Sequence, residues 1–121
     1  MADDPTALRD EDARITALPI HDERKYADTL DLVGEATAKR LLGRLIDQLQ
    51  AAFQGDEDRA VIAREAHALI STSGLLGCDR LSELCRDLEE AAKAGLDLRG
   101  RLCTARRTRD LTAAALLALR D

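Results

Sequence analysis

The chain has 121 residues, a net charge of −5 and 45% apolar residues, with Tyr26 and Phe53 as its only aromatic side chains. That length fits one domain with one modest core, and a core short of aromatics must be built from Leu, Ala, Ile and Val, a composition that favours helices. The acidic balance leaves no predominantly basic face for nucleic acid, and no apolar run approaches the ~20 residues that span a bilayer.

Met1 to about Pro19 is acidic, holds both prolines and shows weak periodicity; it reads as a flexible leader, residues 1–19, ahead of a single helical domain over residues 20–121. The leader has acidic residues where a signal peptide needs basic and apolar ones, so a cytoplasmic location is expected. Tyr26, Leu30 and Val33 then mark a short amphipathic helix ending near Gly34. A long helix is predicted from about Glu35 to Gln54, with Leu42, Leu45, Leu49 and Phe53 as its stripe. Gly55 ends it, and Asp56 is placed to cap the next. The third helix, about Glu57 to Leu75, turns through Leu76-Gly77-Cys78-Asp79 into a fourth, about Asp79 to Ala94. The short turn makes the two antiparallel neighbours, and the fourth directs Leu81, Leu84, Cys85 and Leu88 inward. The last helix, roughly Leu98 to Leu119, is apolar at Leu98, Leu102, Ala105, Ala113 and Leu116, with Arg109 interrupting the stripe. Arg106, Arg107 and Arg109 read as a solvated face or a docking rim.

No strand alternation, solenoid-length repeat or low-complexity tract is visible. The expected fold is all-α: an antiparallel four-helix bundle over about Glu35–Leu119 with an additional short N-terminal helix across one end. Its core should include Leu42, Leu45, Leu49, Phe53, Ile62, Leu69, Leu76, Leu81, Leu84 and Leu88. Cys78, Cys85 and Cys103 form no Cys-x-x-Cys pair, and the only imidazole besides His67 is His21, so zinc has little support. Cys78 and Cys85 share a face with Leu81 and Leu88 and read as small buried hydrophobes.

The third helix carries the candidate chemistry. On a wheel of about 100° per residue, Ile62, Ala66, Leu69, Ser73 and Leu76 fall opposite His67 and form a core stripe. Around the imidazole lie Ala60, Ala63, Arg64, Ile70, Ser71 and Gly74, so a nucleophilic ring sits on a nearly bare face that another protein can approach closely. Ile70 reads as an exposed docking contact, Arg64 as a side chain able to pair with phosphate, and Gly74 as open space one turn beyond Ser71. Phosphoryl transfer needs chiefly in-line positioning and charge neutralisation. No carboxylate cluster lies on the His67 face, so the chain is expected to bind no cofactor, and any Mg²⁺ should belong to a partner. Nor is there a Walker-type Gly-Lys loop or other nucleotide cradle, and no triad or carboxylate pair suggests hydrolase or redox chemistry.

Ala66, His67, Leu69, Gly77 and Leu81, with Thr72, Ser73 and Cys78 as near-equivalents in size, resemble the active-site helix of histidine phosphotransfer (HPt) domains; Leu81, Leu84, Cys85, Leu88 and Glu89 resemble the family's following helix. The resemblance runs from about Tyr26 to the C-terminus, and its specific part is Ala66 to Glu89. It departs at Ile70 and Ser71, where the family usually has a Lys that supports the phosphoryl group and a Gly that leaves room for it. The resemblance implies a monomeric phosphocarrier that accepts a phosphoryl group on His67 from the receiver domain of a hybrid histidine kinase and passes it to a response regulator. Ala68 stands where kinase phosphoacceptor helices usually carry an acidic base, which favours a carrier without autokinase activity. Two other readings stay open: an HPt-like adaptor that docks receiver domains without transfer, and an unrelated structural bundle.

Overall fold

The computed structural model describes residues 13–55 and 58–120. Asp22 caps the first long helix, α1 (Glu23–Val33), its carboxylate accepting from the Arg24 and Lys25 amides at 3.0 and 3.2 Å. Gly34, at φ 87°, ends α1 and starts α2 (Glu35–Ala51). The remaining helices are α3 (Arg59–Leu75), α4 (Asp79–Lys93) and α5 (Arg99–Arg120).

Helix α2 packs on α3 and α5, and α4 packs on the same two. The four close into a bundle with sequence neighbours side by side, while α1 lies against α2 and α3. All ten expected core residues, from Leu42 to Leu88, are buried. Each helix buries one stripe of Leu, Ile and Ala, which is how a chain nearly free of aromatics closes a core.

Helix α2 stops three residues before the expected Gln54. The chain leaves the helix at Ala52, and Phe53 turns left-handed (φ 59°) with its ring fully buried. Long-range hydrogen bonds hold this conformation. Arg109 donates to the Ala52 and Phe53 carbonyls at 2.8 and 3.2 Å, and Arg106 to those of Phe53 and Gly55 at 2.9 and 2.7 Å. Arg106 and Arg109 are therefore clamps on the α2–α3 connection, not a solvated face or docking rim; Arg107 is exposed. Asp58, not Asp56, caps α3 by accepting from the Val61 amide at 2.9 Å; Asp56 lies outside the described residues.

The stripe of α5 also differs from expectation. Ala105, Thr108, Thr112 and Leu116 are buried, while Leu102 and Ala113 are half-buried. A threonine can occupy a core position here because its own helix satisfies it: the Thr112 hydroxyl donates to the Thr108 carbonyl at 2.7 Å.

Part of the expected leader is anchored. Residues 13–16 are helical, Ile15 is buried, and Arg80 at the start of α4 donates its amide to the Pro19 carbonyl and its Nε to that of Leu18, at 3.1 and 2.8 Å. The first amides of a helix have no partner within it, so the N-terminus of α4 supplies the donor. Residues 1–12 lie outside the described residues. His21, to which the sequence assigned no role, donates from Nε2 to the Leu76 carbonyl at 3.0 Å. With the Thr29 hydroxyl on the Leu75 carbonyl and the Lys25–Asp79 ion pair at 2.8 Å, it fastens the start of α1 over the α3–α4 turn.

At that turn Gly77 (φ 89°) lies against backbone: its carbonyl accepts from the Asp22 amide at 2.8 Å, and a Cβ added to it would meet the Asp22 carbonyl oxygen at 2.5 Å. The thiols of Cys78 and Cys85 are buried, and burial pushes both up to about 12, which keeps them protonated and inert at neutral pH. Cys103 is exposed. No described helix is long and apolar enough to cross a membrane.

Candidate functional site

Helix α3 is apolar on one side because Ile62, Ala66, Leu69 and Ser73 face the core. That fixes the rotation of the helix and turns His67 outward, with 73% of its side chain exposed. Ser73 can sit in the core because its hydroxyl donates to the Leu69 and Ile70 carbonyls of its own helix.

The antiparallel pairing of α3 with α4 supplies the imidazole with a partner. Oε2 of Glu89 lies 2.9 Å from His67 Nδ1, and Lys93 Nζ, one turn further along α4, lies 3.2 Å from the same oxygen. A carboxylate only accepts, so Nδ1 carries the hydrogen of this bond, and the neutral ring keeps its free lone pair on Nε2. Glu89 is itself largely covered, with 14% of its side chain exposed. Burial pushes its carboxyl up, but the bonds from His67 and Lys93 outweigh this and hold it below its ordinary 4.5. It is thus an anion at neutral pH, fixed beneath one ring nitrogen while the other faces solvent.

The residues expected around His67 divide into two groups. Arg64 and Ser71 are exposed and Ala63 is half-buried, so this part of the face is open, and only Arg64 among the three has a long side chain. Ile70 is not the exposed contact expected; it is half-buried and packs against the core. Gly74 does not open space for a partner either, because α4 fills it: a Cβ there would stand 3.3 Å from Ser82 Oγ. The same Ser82 hydroxyl donates to the Ile70 carbonyl at 3.0 Å, so Ile70 and Gly74 belong to the α3–α4 seam. The open face runs from Ala60, Ala63 and Arg64 past His67 to Ser71.

Glu89 had no role assigned from sequence, although a signal for one exists. An antiparallel hairpin turning at Gly77 and Cys78 pairs residues at nearly equal distances on either side. His67 and Glu89 each stand 11 residues from Cys78, and the observed contact has that register. Among the described residues, no three His, Cys, Asp or Glu side chains gather as a metal site.

The family model of the Hpt domain matches residues 37–121, a span that begins inside α2 and holds all but the start of the four-helix bundle, together with His67, Glu89 and Lys93. The match leaves α1 outside, whereas the resemblance read from sequence began near Tyr26. No curated protein and no solved structure matches the chain. With most of its length under the family model, and a four-helix bundle presenting a histidine from mid-helix, the chain belongs to the Hpt domain family, whose members transfer phosphoryl groups through histidine in phosphorelays.

Proposed function

We propose that this protein is a phosphocarrier in which Nε2 of His67 accepts a phosphoryl group from the aspartyl phosphate of a receiver domain and delivers it to an aspartate of a second receiver domain. One observation carries the reading: an imidazole that is mostly exposed has its inner nitrogen tied to a largely covered carboxylate at 2.9 Å. Its reactive nitrogen is thereby directed outward in the form that can attack.

In the accepting step, the Nε2 lone pair forms an N–P bond as the donor's O–P bond breaks, and the electron pair of that bond stays on the departing aspartate carboxylate. The hydrogen on Nδ1 does not leave. The positive charge that develops on the ring lies against Glu89, which stabilises it at close range. Transfer onward is the reverse step with a second aspartate. Because no proton has to be found or discarded, the carrier can run in either direction.

The chain has no nucleotide-binding loop, so the phosphoryl group comes from a partner, as does the Mg²⁺ that neutralises it during transfer. The small side chains at Ala60 and Ala63 let the partner's active site come close to Nε2. Since α2–α5 complete the bundle within one chain, we assign the working form as a monomer, acting in the cytoplasm where it meets the receiver domains of a hybrid histidine kinase and a response regulator.

The test is transfer of radiolabelled phosphate from a receiver domain that has been phosphorylated by a small phosphodonor with Mg²⁺. Label should move to this chain in a form labile to acid and stable to base, as expected for an N–P bond. Binding of the receiver without transfer would replace this reading with that of an adaptor, which the loss of a Lys at Ile70 motivates.

A further inference from the structure

Lys93 stands outside the set of residues that the sequence pointed to, and its position gives it a part in the reaction. It shares one oxygen of Glu89 with the imidazole: Nζ at 3.2 Å and His67 Nδ1 at 2.9 Å both lie on Oε2. The ammonium is therefore no farther from the ring than those two contacts laid end to end. Its side chain is 68% exposed, so it can rotate without unpacking anything.

Direction favours an encounter. Helical side chains lean toward the N-terminus of their own helix, and α3 and α4 run antiparallel. His67 therefore leans toward the level of Ala63, while Lys93, one turn beyond Glu89 and level with Ala63, leans back toward His67. The two converge over a residue with only a methyl side chain. Arg64, the other nearby cation, is on His67's own helix and leans the same way as the imidazole, toward the preceding turn and away from it. Ile70 brings no charge.

Charge supplies the reason. A phosphoryl group on Nε2 would place a dianion on the same ring that Glu89 already flanks with an anion, and one mobile cation between the two offsets their repulsion. Resting on the proposal that His67 is the phosphoacceptor, we infer that Lys93 is the cation that contacts the phosphoryl group: its ammonium moves from Glu89 to the phosphoryl oxygens as the N–P bond forms. The cation is thus supplied across the helix pair, from α4, and not from the helix that bears the histidine. In the step itself the N–P bond forms, the donor's bond to phosphorus breaks with its electron pair leaving on the donor, and Lys93 exchanges hydrogen-bond acceptors while keeping its protons.

The full chain is phosphorylated with a small phosphoramidate donor, and the rate is measured for the wild type, Lys93→Ala, Lys93→Arg, Arg64→Ala and Glu89→Gln, and for Lys93→Ala combined with Glu89→Gln. Because the lysine is exposed, Lys93→Ala should slow uptake about three- to fivefold, and Lys93→Arg should recover most of the rate. The difference should shrink at about 0.5 M salt, and Arg64→Ala should have the smaller effect. The combined variant separates direct from indirect action. If Lys93 touches the phosphoryl group, its loss slows the Glu89→Gln protein by the same factor; if it only steadies Glu89, that factor disappears and the inference is overturned. Unchanged uptake in Lys93→Ala, or a larger loss in Arg64→Ala, overturns it as well while leaving His67 as the acceptor. A wild type that takes up no label overturns both.

Discussion

Glu89→Ala should slow phosphoryl uptake on His67 by about tenfold to a hundredfold, the range expected when a group that orients a reactive imidazole is removed. Two losses combine in that figure. Without the carboxylate, Nδ1 has no acceptor to keep its hydrogen in place, so the neutral ring divides between two forms, only one of which has its lone pair on Nε2. The charge that develops on the ring in the transition state also loses its counter-ion. Glu89→Gln separates these contributions, because an amide oxygen still accepts from Nδ1–H but carries no charge, and it should fall between wild type and Glu89→Ala. The Glu89 carboxyl is held below its ordinary 4.5, so it stays ionised through neutral pH. The ratio of wild-type to Glu89→Gln rates, taken for neutral imidazole, should then be flat between about pH 6 and 8. Initial rates of label uptake, with helical circular dichroism to confirm folding, check all three.

Gly77→Ala should destabilise the fold by about 2–4 kcal/mol. Two costs act on one atom. A Cβ at φ 89° occupies a conformation that side chains resist, and it would stand 2.5 Å from the Asp22 carbonyl oxygen. That oxygen is backbone and cannot rotate away. The start of α1 must lift from the turn, which weakens the bonds of Asp22 to Gly77 and of His21 to Leu76. Gly43→Ala is the control: nothing lies within 4 Å of the new methyl, in the middle of α2. There the substitution should stabilise by about 0.5–1 kcal/mol. Urea unfolding of the three proteins measures both effects, and the opposite signs exclude a general intolerance of glycine replacement.

Periodicity made most of the architecture legible. Leu42, Leu45 and Leu49, or Leu81, Leu84 and Leu88, recur at helical spacing because one side of each helix must be dry, and the same rule placed His67 on the wet side of α3. The misreadings come from forces that act at a distance along the chain. Gly55 looked like the natural stop for α2, yet the helix ends at Ala51 because Arg106 and Arg109, more than 50 residues away, hold the carbonyls of the left-handed turn. The α5 stripe was read through Leu102 and Ala113, yet Thr108 and Thr112 are buried there instead, the Thr112 hydroxyl bonding its own helix. Ile70 and Gly74 were assigned to the open face, since a wheel shows one helix and not the neighbour that covers it; Ser82 of α4 occupies that side. Glu89 was hidden for a related reason. Its place beneath His67 depends on the register of two helices, which periodicity along either one does not contain.

The central claim is that His67 alone receives the phosphoryl group, and the most direct measurement compares wild type with His67→Gln in transfer from a phosphorylated receiver domain. The imidazole is 73% exposed and its bond to Glu89 is the one polar contact it makes among the described residues, so the variant should keep the helical circular dichroism of the wild type. Wild type should take up acid-labile label approaching one phosphoryl group per chain, and His67→Gln should take up none. Equal labelling of the folded His67→Gln protein would contradict the assignment of His67 as the phosphoacceptor.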